Sequence, residues 1–149
     1  MLTIRKMRSD DKNVVLSMVN EFYHSNAVDH EVEESKLKTT FQDATGEEPY
    51  VWGVTLCEGD DIVGFAYLTM CYSCEMGGKT LILEELFMNE QCRGKGYGRQ
   101  FFDWLFNEYQ DVVRFRLEVT ESNEGASSLY KRLGFDYLQY KQMVYDKKI

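Results

Sequence analysis

The segment Gln91-Cys92-Arg93-Gly94-Lys95-Gly96-Tyr97-Gly98-Arg99 holds three glycines and three cations, and no acid follows until after Phe102, in a chain whose formal charge is −8. Glycines allow positive φ and close backbone approach, and a helix opening at such a loop offers unpaired N–H groups to an anion. The loop suits a pyrophosphate. Just upstream, Glu84 and Glu85 interrupt the apolar runs Leu81-Ile82-Leu83 and Leu86-Phe87-Met88. If strand side chains alternate there, one carboxylate points to each side of a strand that is apolar on both. A carboxylate buried without a partner has a raised pKa, which is what a general base needs. Tyr130 lies on the apolar stripe of a downstream helix, where a tyrosine is ordinarily core with a satisfied hydroxyl.

Rival motifs fare worse. In a P-loop ending at Gly78-Lys79-Thr80, the first glycine would fall at Ser73. The dinucleotide pattern G-x-G-x-x-G fits Gly94 and Gly96 but meets Arg99 at its third glycine. Glu118, at the end of the next strand, keeps a nicotinamide reading open, against the absence of further βαβ units. Cys71-x-x-Cys74 is a single pair, and His24 and His30 make no ligand pattern with it, so no metal site is expected. No G-x-S-x-G nucleophile motif occurs.

Several elements must position these groups. Residues 3–7 read as a strand, and Ser9-Asp10-Asp11 starts a helix carrying Val15, Met18, Val19 and Phe22 at helical spacing. A second helical pattern covers residues 33–44. Residues 50–57 and 62–71 form a hairpin around Glu58-Gly59-Asp60-Asp61, and residues 80–88 another strand. An amphipathic helix over residues 96–109, a strand over 113–119 and a helix over 123–133 follow, the last ended by Gly134. Short strands are expected at residues 135–138 and 143–145. This order implies one α/β domain spanning 1–149, with a mixed sheet flanked by helices.

Composition narrows the classes. At 149 residues, 44% hydrophobic and with one proline, the chain suits a single globular core. Its longest uncharged stretch, residues 62–74, is thirteen residues, short of the ~18 a membrane span needs. The first eight residues alternate apolar and charged types and contain no secretory apolar core. Twenty-five acids against seventeen Lys and Arg argue against a nucleic-acid partner. Four cysteines are consistent with reduced thiols. A cytoplasmic protein with no membrane partner is expected. The acidic run Asp29-His30-Glu31-Val32-Glu33-Glu34 is either a solvated face or the lining of a site for a cationic acceptor.

Two motifs together carry a resemblance. Leu83-Glu84-Glu85-Leu86-Phe87-Met88 followed by Gln91-x-x-Gly94-x-Gly96-x-Gly98 is similar to the acetyl-CoA-binding motif of the GNAT superfamily of N-acetyltransferases. Asn123-Glu124-Gly125-Ala126-x-x-Leu129-Tyr130-x-x-x-Gly134-Phe135 resembles that superfamily's second motif, and the order of elements agrees over nearly the whole chain. Within the superfamily, Gly78-Lys79 and Leu83-Glu84-Glu85-Leu86 look nearest to the diamine (polyamine) N-acetyltransferases, although the loop over residues 72–78 lacks an expected tryptophan and the first helical region gives no clear match.

The resemblance implies a GNAT-like fold, a central, mostly antiparallel mixed sheet with about four helices. Leu86, Phe87 and Met88 would pair with the pantetheine arm as an added strand. Arg93, Gly94, Lys95, Gly96, Tyr97, Gly98 and Arg99 would hold the pyrophosphate, and Asn123 and Ala126 would flank the pantetheine. Tyr130 would stand near the thioester sulfur as general acid, Glu84 would be the base, and acetyl-CoA the co-substrate with no metal. The implied reaction is acetyl transfer to a primary amine in a ternary complex. The acceptor would be a polyamine or other small amine, and a homodimer is common in the family. A protein lysine or N-terminus as acceptor, and a non-catalytic acyl-CoA sensor, are the alternatives.

Overall fold

The structure, a computed structural model, describes residues 1–148. In chain order it contains β1 (Leu2–Lys6), α1 (Lys12–Tyr23), α2 (Glu34–Thr45), β2 (Val51–Glu58), β3 (Asp61–Ser73), β4 (Gly78–Met88), α3 (Tyr97–Glu108), β5 (Arg114–Leu117) and α4 (Glu124–Arg132). Short 3₁₀ turns at Ser9–Asp11 and Glu90–Cys92 lead into α1 and into the glycine loop. The strands form one sheet in the order β1-β2-β3-β4-β5, antiparallel from β1 to β4 and parallel between β4 and β5. The mixed α/β architecture expected from the sequence is the one observed.

Each face of the sheet buries its own core. Phe65, Tyr67 and Phe87 meet Val15, Met18 and Val19 of α1 and Phe41 and Ala44 of α2. Val54, Leu56, Ala66, Leu68, Leu81 and Leu83 meet Phe101, Phe102 and Leu105 of α3 on the other face. The central strands are apolar on both sides because helices cover both. At the start of α1, Arg5 and Asp11 form a two-pronged ion pair, 2.9 Å at each prong, and Asp11 also accepts the Arg8 N–H at 2.8 Å. The guanidinium holds the buried Asp11 carboxyl below its ordinary range and fixes where α1 leaves β1.

The register contains one irregularity that matters for function. Tyr67 of β3 lies opposite Glu85, but its neighbour Leu68 lies opposite Leu83, so Glu84 is an extra residue in β4. Such a bulge shifts the alternation of faces by one. Leu81 and Leu83 accordingly point toward α3, whereas Phe87, an even number of residues further on, points toward α1 and α2.

The C-terminal part differs from expectation. After α4, Gly134 takes φ +99° and Phe135 N–H bonds to Tyr130 C=O at 3.0 Å, the closing pattern of a helix ended by glycine. Residues 135–138 and 143–145 form no strands. A strand needs a ladder partner and an isolated pair is marginal; within one chain this segment makes none.

Gly64 of β3 lies opposite Met88, and a Cβ there would collide with the Phe87 carbonyl oxygen. Because the obstacle is backbone, Gly64→Ala is expected to cost about 1–3 kcal/mol, measured as a lowered Tm in thermal denaturation.

Candidate active site

β4 and β5 pair from Thr80 opposite Arg114 to Leu83 opposite Leu117, and no further. From the Glu84 bulge onward the two strands part. Glu84, Glu85 and Leu86 line one side of the resulting cleft, and Asn123 and Tyr130 line the other, with Phe22 of α1 at one end. The β5-facing edge of Leu86, Phe87 and Met88 is left without a strand partner, where an extended amide chain can add itself as a strand.

The two glutamates do not sit as simple alternation predicts. Glu84 accepts a hydrogen bond from Thr69 Oγ1 at 2.7 Å, and Thr69 is on the same face of β3 as Tyr67. Glu85 neighbours the hydroxyls of Tyr23 and Tyr67. Both carboxylates therefore lie on the α1–α2 face, because the extra residue turns Glu85 over. Glu84 is exposed, whereas Glu85 is 8% exposed and its Oε1 has no hydrogen-bond partner. Burial pushes the Glu85 carboxyl up to about 7; the Tyr23 hydroxyl pulls against this and the Glu84 charge adds to it. The buried, unpaired carboxylate anticipated from sequence is thus Glu85, and Glu84 stands beside it at the wet rim.

Tyr130 is half-buried against Phe102 and Phe135, with ring centroids at 5.7 and 6.0 Å. Burial raises its hydroxyl above the ordinary tyrosine range, so it is a neutral O–H at physiological pH. Asn123 caps α4, its Oδ1 accepting from Ala126 N–H at 3.3 Å. That bond fixes Asn123 and Ala126 as one unit beside the cleft.

Gly94 and Gly96 take φ +77° and +81°, and Gly96 turns the chain into α3. Gly98 has no such φ; a Cβ there would come within 2.9 Å of Leu129 Cδ2, so it serves the approach of α3 to α4. Arg93 Nε donates to Met88 C=O at 3.0 Å, Lys95 pairs with Glu58 at 3.6 Å, and Arg99 contacts Asp103 at 3.4 Å. The Tyr97 side chain is buried against Val63 and Cys92, and its hydroxyl donates to Glu58. Every cation of the loop has a protein partner. The start of α3 offers backbone as well: the first intrahelical bond runs from Gln100 N–H to Gly96 C=O, leaving the N–H groups of Tyr97, Gly98 and Arg99 for an anion.

One feature of the cleft had no signal in the sequence. Asn26, in the α1–α2 connection, accepts Thr120 Oγ1 at 2.6 Å and Ser122 Oγ at 3.2 Å through its C=O, and donates Nδ2 to Ser122 C=O at 3.2 Å. These bonds join the α1–α2 connection to the β5–α4 loop. The acidic run does not reach the cleft: Glu31, Glu33 and Glu34 are exposed, and Glu34 pairs with Lys38 at 3.2 Å. It is a solvated face. Among the described residues, no cluster of potential metal ligands forms, and no helix is long and apolar enough to cross a membrane.

The profile of the Acetyltransferase (GNAT) family matches residues 15–135. The chain belongs to the GNAT acetyltransferase family. It is 26% identical over 145 residues to a mouse thialysine N-epsilon-acetyltransferase, covering 88% of this chain and 82% of that one. A possible acetyltransferase from Clostridium difficile 630 superposes with a TM-score of 0.83 at 20% identity, over 100% and 99% of the two chains. A predicted acetyltransferase from Clostridium acetobutylicum, solved with acetyl-CoA, gives a TM-score of 0.76 at 15% identity, over 97% and 96% of the two chains. This chain is accordingly an enzyme of the N-acetyltransferase class, and its relation to amine acetyltransferases agrees with the polyamine-type resemblance of its motifs. The orphan N–H groups of α3 and the unpaired edge of β4 fit the pyrophosphate and amide-bearing arm of acetyl-CoA.

The Glu85 carboxyl carries a stability prediction. Its folded pKa, about 7, lies above the ordinary 4.5, so the folded state holds the proton longer than the unfolded chain. Stability tied to this group is present below pH 4.5 and is lost as pH rises through 7. The displacement corresponds to roughly 3 kcal/mol. Relative to Glu85→Gln, the parent protein should lose Tm steadily from pH 4.5 to 7, and parallel melting curves over that range would refute the burial argument.

Proposed function

We propose that this enzyme transfers the acetyl group of acetyl-CoA directly to a primary amine in a ternary complex, the acceptor being a polyamine or another small amine. The observation that carries the reading is the cleft where β4 leaves β5. Glu84, Glu85 and Tyr130 all line it, and beside it runs a free strand edge that leads to the open N–H groups at the start of α3.

A primary amine with a pKa of about 10.4 is only about one part in a thousand neutral at pH 7. Glu85, poised near pH 7, takes the ammonium proton directly or through a water. Glu84, exposed at the rim and fixed by Thr69, holds the cationic acceptor before it is deprotonated. The resemblance pointed to Glu84 as base; the burial of its neighbour is what moves that role to Glu85 here. The freed amine attacks the thioester carbonyl, whose oxygen develops charge beside the unpaired edge of β4 near Met88. As the tetrahedral adduct collapses, the C–S bond breaks and Tyr130 gives its proton to the departing thiolate; the proton shed by the attacking nitrogen returns to the tyrosinate through water. Cys92 is buried under the loop with Val63 and Tyr97, away from the cleft, so no acyl-enzyme is part of this reading. The net acidic surface and free thiols support a small cationic acceptor and a cytoplasmic setting rather than nucleic acid or membrane. The assembly that goes with this reading is a homodimer.

The test is mass-spectrometric detection of acetylated product from acetyl-CoA with polyamines, thialysine, lysine, aminoglycosides and lysine peptides. An acetylated small amine supports the proposal. Product from the peptides alone replaces the acceptor class, and bound but unconsumed acetyl-CoA supports a sensor.

The roles separate kinetically on whichever acceptor turns over. Glu85→Gln should lower kcat by about 100- to 10,000-fold and abolish the acidic limb of the pH profile, which in the parent rises through about pH 7. Tyr130→Phe should lower kcat to a similar extent. Glu84→Gln should raise KM more than it lowers kcat. A collapse of kcat in Glu84→Gln with Glu85→Gln fully active would return the base to Glu84.

A further inference from the structure

β5 turns its apolar side chains, Phe115 and Leu117, into the α3 core. Alternation therefore sends Arg114, Arg116 and Glu118 to the opposite face, where Glu84 and Glu85 stand. The ladder fixes their order along that face. Arg114 lies opposite Thr80 and Arg116 opposite Ile82, whereas Glu118 lines the cleft with Glu84 and Glu85. One end of the face is acidic and the other is basic.

The basic end is a cavity of about 420 Å³, bounded by the β3–β4 turn, β5 and the C-terminal segment. Arg114 is already engaged there. Its Nη1 donates to Glu75 Oε1 at 2.9 Å, and Tyr140 donates to Glu75 Oε2 at 3.2 Å, so both oxygens of Glu75 are taken. Arg116 is half-buried in the same cavity and, among the described residues, makes no ion pair and no side-chain hydrogen bond. Thr80, which also lines the cavity, is 1% exposed, and its Oγ1 has no hydrogen-bond partner. A buried hydroxyl without a partner is costly, and a guanidinium binds a planar anion with two parallel bonds. One carboxylate satisfies both donors. A second ammonium, as on a polyamine, would instead meet two guanidinium groups.

We propose that Arg116 and the Thr80 hydroxyl form a subsite for a carboxylate on the acceptor, so that the small amine is an amino acid with its reacting nitrogen at the end of the side chain. From Ile82 to Glu85 is three residues of β4, one of them the surplus residue of the bulge. The two ends of the groove are therefore roughly 7–10 Å apart along the strand, a gap that an extended side chain of lysine's length bridges. The assignment rests on the reading of Glu85 as the group that takes the amine proton, and adds what anchors the far end of the same molecule.

The experiment uses lysine and cadaverine, which differ by the carboxylate alone, as acceptors for the parent, Arg116→Gln and Arg132→Gln. Arg132 is exposed at the end of α4 and lines neither the cleft nor the cavity, so its loss changes the net charge equally. In the parent, kcat/KM should favour lysine by about 10- to 100-fold, mostly through KM. Arg116→Gln should raise the lysine KM to that of cadaverine, and its turnover of cadaverine reports that the variant folds. Arg132→Gln should keep the preference. A parent that does not favour lysine overturns the proposal, as does an Arg116→Gln variant that still does. If neither amine is acetylated, calorimetric titration of both into the CoA-loaded protein reads the subsite without turnover. Lysine binding that is lost in Arg116→Gln then supports the subsite while removing the transfer reading, and equal binding of lysine and cadaverine, or of neither, overturns the subsite.

Discussion

Glu84 is one residue more than the ladder between β3 and β4 can accommodate, and the site is organised around that surplus. A strand buried on both faces has a strict parity: every second side chain belongs to one core. The bulge breaks this parity once. Before it, Leu81 and Leu83 are committed to the α3 core; after it, Phe87 is committed to the α1–α2 core. The residue at the changeover, Glu85, is carried onto a face where Tyr23 and Tyr67 already stand, with too little water to keep its charge cheaply. The same irregularity coincides with the end of pairing to β5. A perturbed carboxylate and an open strand edge thus occur at the same point of β4.

Such a feature explains which parts of this protein can be read from sequence. The helices were legible because 3.6-residue spacing is a local property: α1, α3 and α4 appear with the faces their apolar residues demand. The glycine loop was legible because positive φ at Gly94 and Gly96 leaves few other residue choices. The bulge was not, since an extra residue in β4 is defined only against β3, which contains no unusual residue opposite it. Alternation therefore sent one glutamate to each face, and the structure puts both on the same face. The pairing of Lys95 with Glu58 and of Arg99 with Asp103 had no signal in the sequence, because these acids are told from the others only by the folded geometry. The bonds from Asn26 to Thr120 and Ser122 span 94 and 96 residues and involve types common in any loop. The strands expected at residues 135–138 and 143–145 have the right composition, but a strand is a relation between two segments, and these residues form no ladder with β5 or with each other.

The electrostatics of the chain follow the same division between side chains and backbone. With a net charge of −8 the protein cannot attract an anionic cofactor through its overall field. Two cations of its glycine loop, Lys95 and Arg99, are paired with Glu58 and Asp103, and the start of α3 adds peptide N–H groups, fixed dipoles that need no counter-ion. At the bulge the logic is reversed: the charge is on side chains, one carboxylate wet and one dry. A single strand, β4, and the turn after it connect these two regions. The proposed transfer to a small amine needs an anion held at one end and a cation discharged at the other, with the bond change between them. Under that proposal, peptide N–H groups at the start of α3 and the buried Glu85 carboxyl divide the two tasks, and the N–H groups add no net charge to perturb the carboxyl.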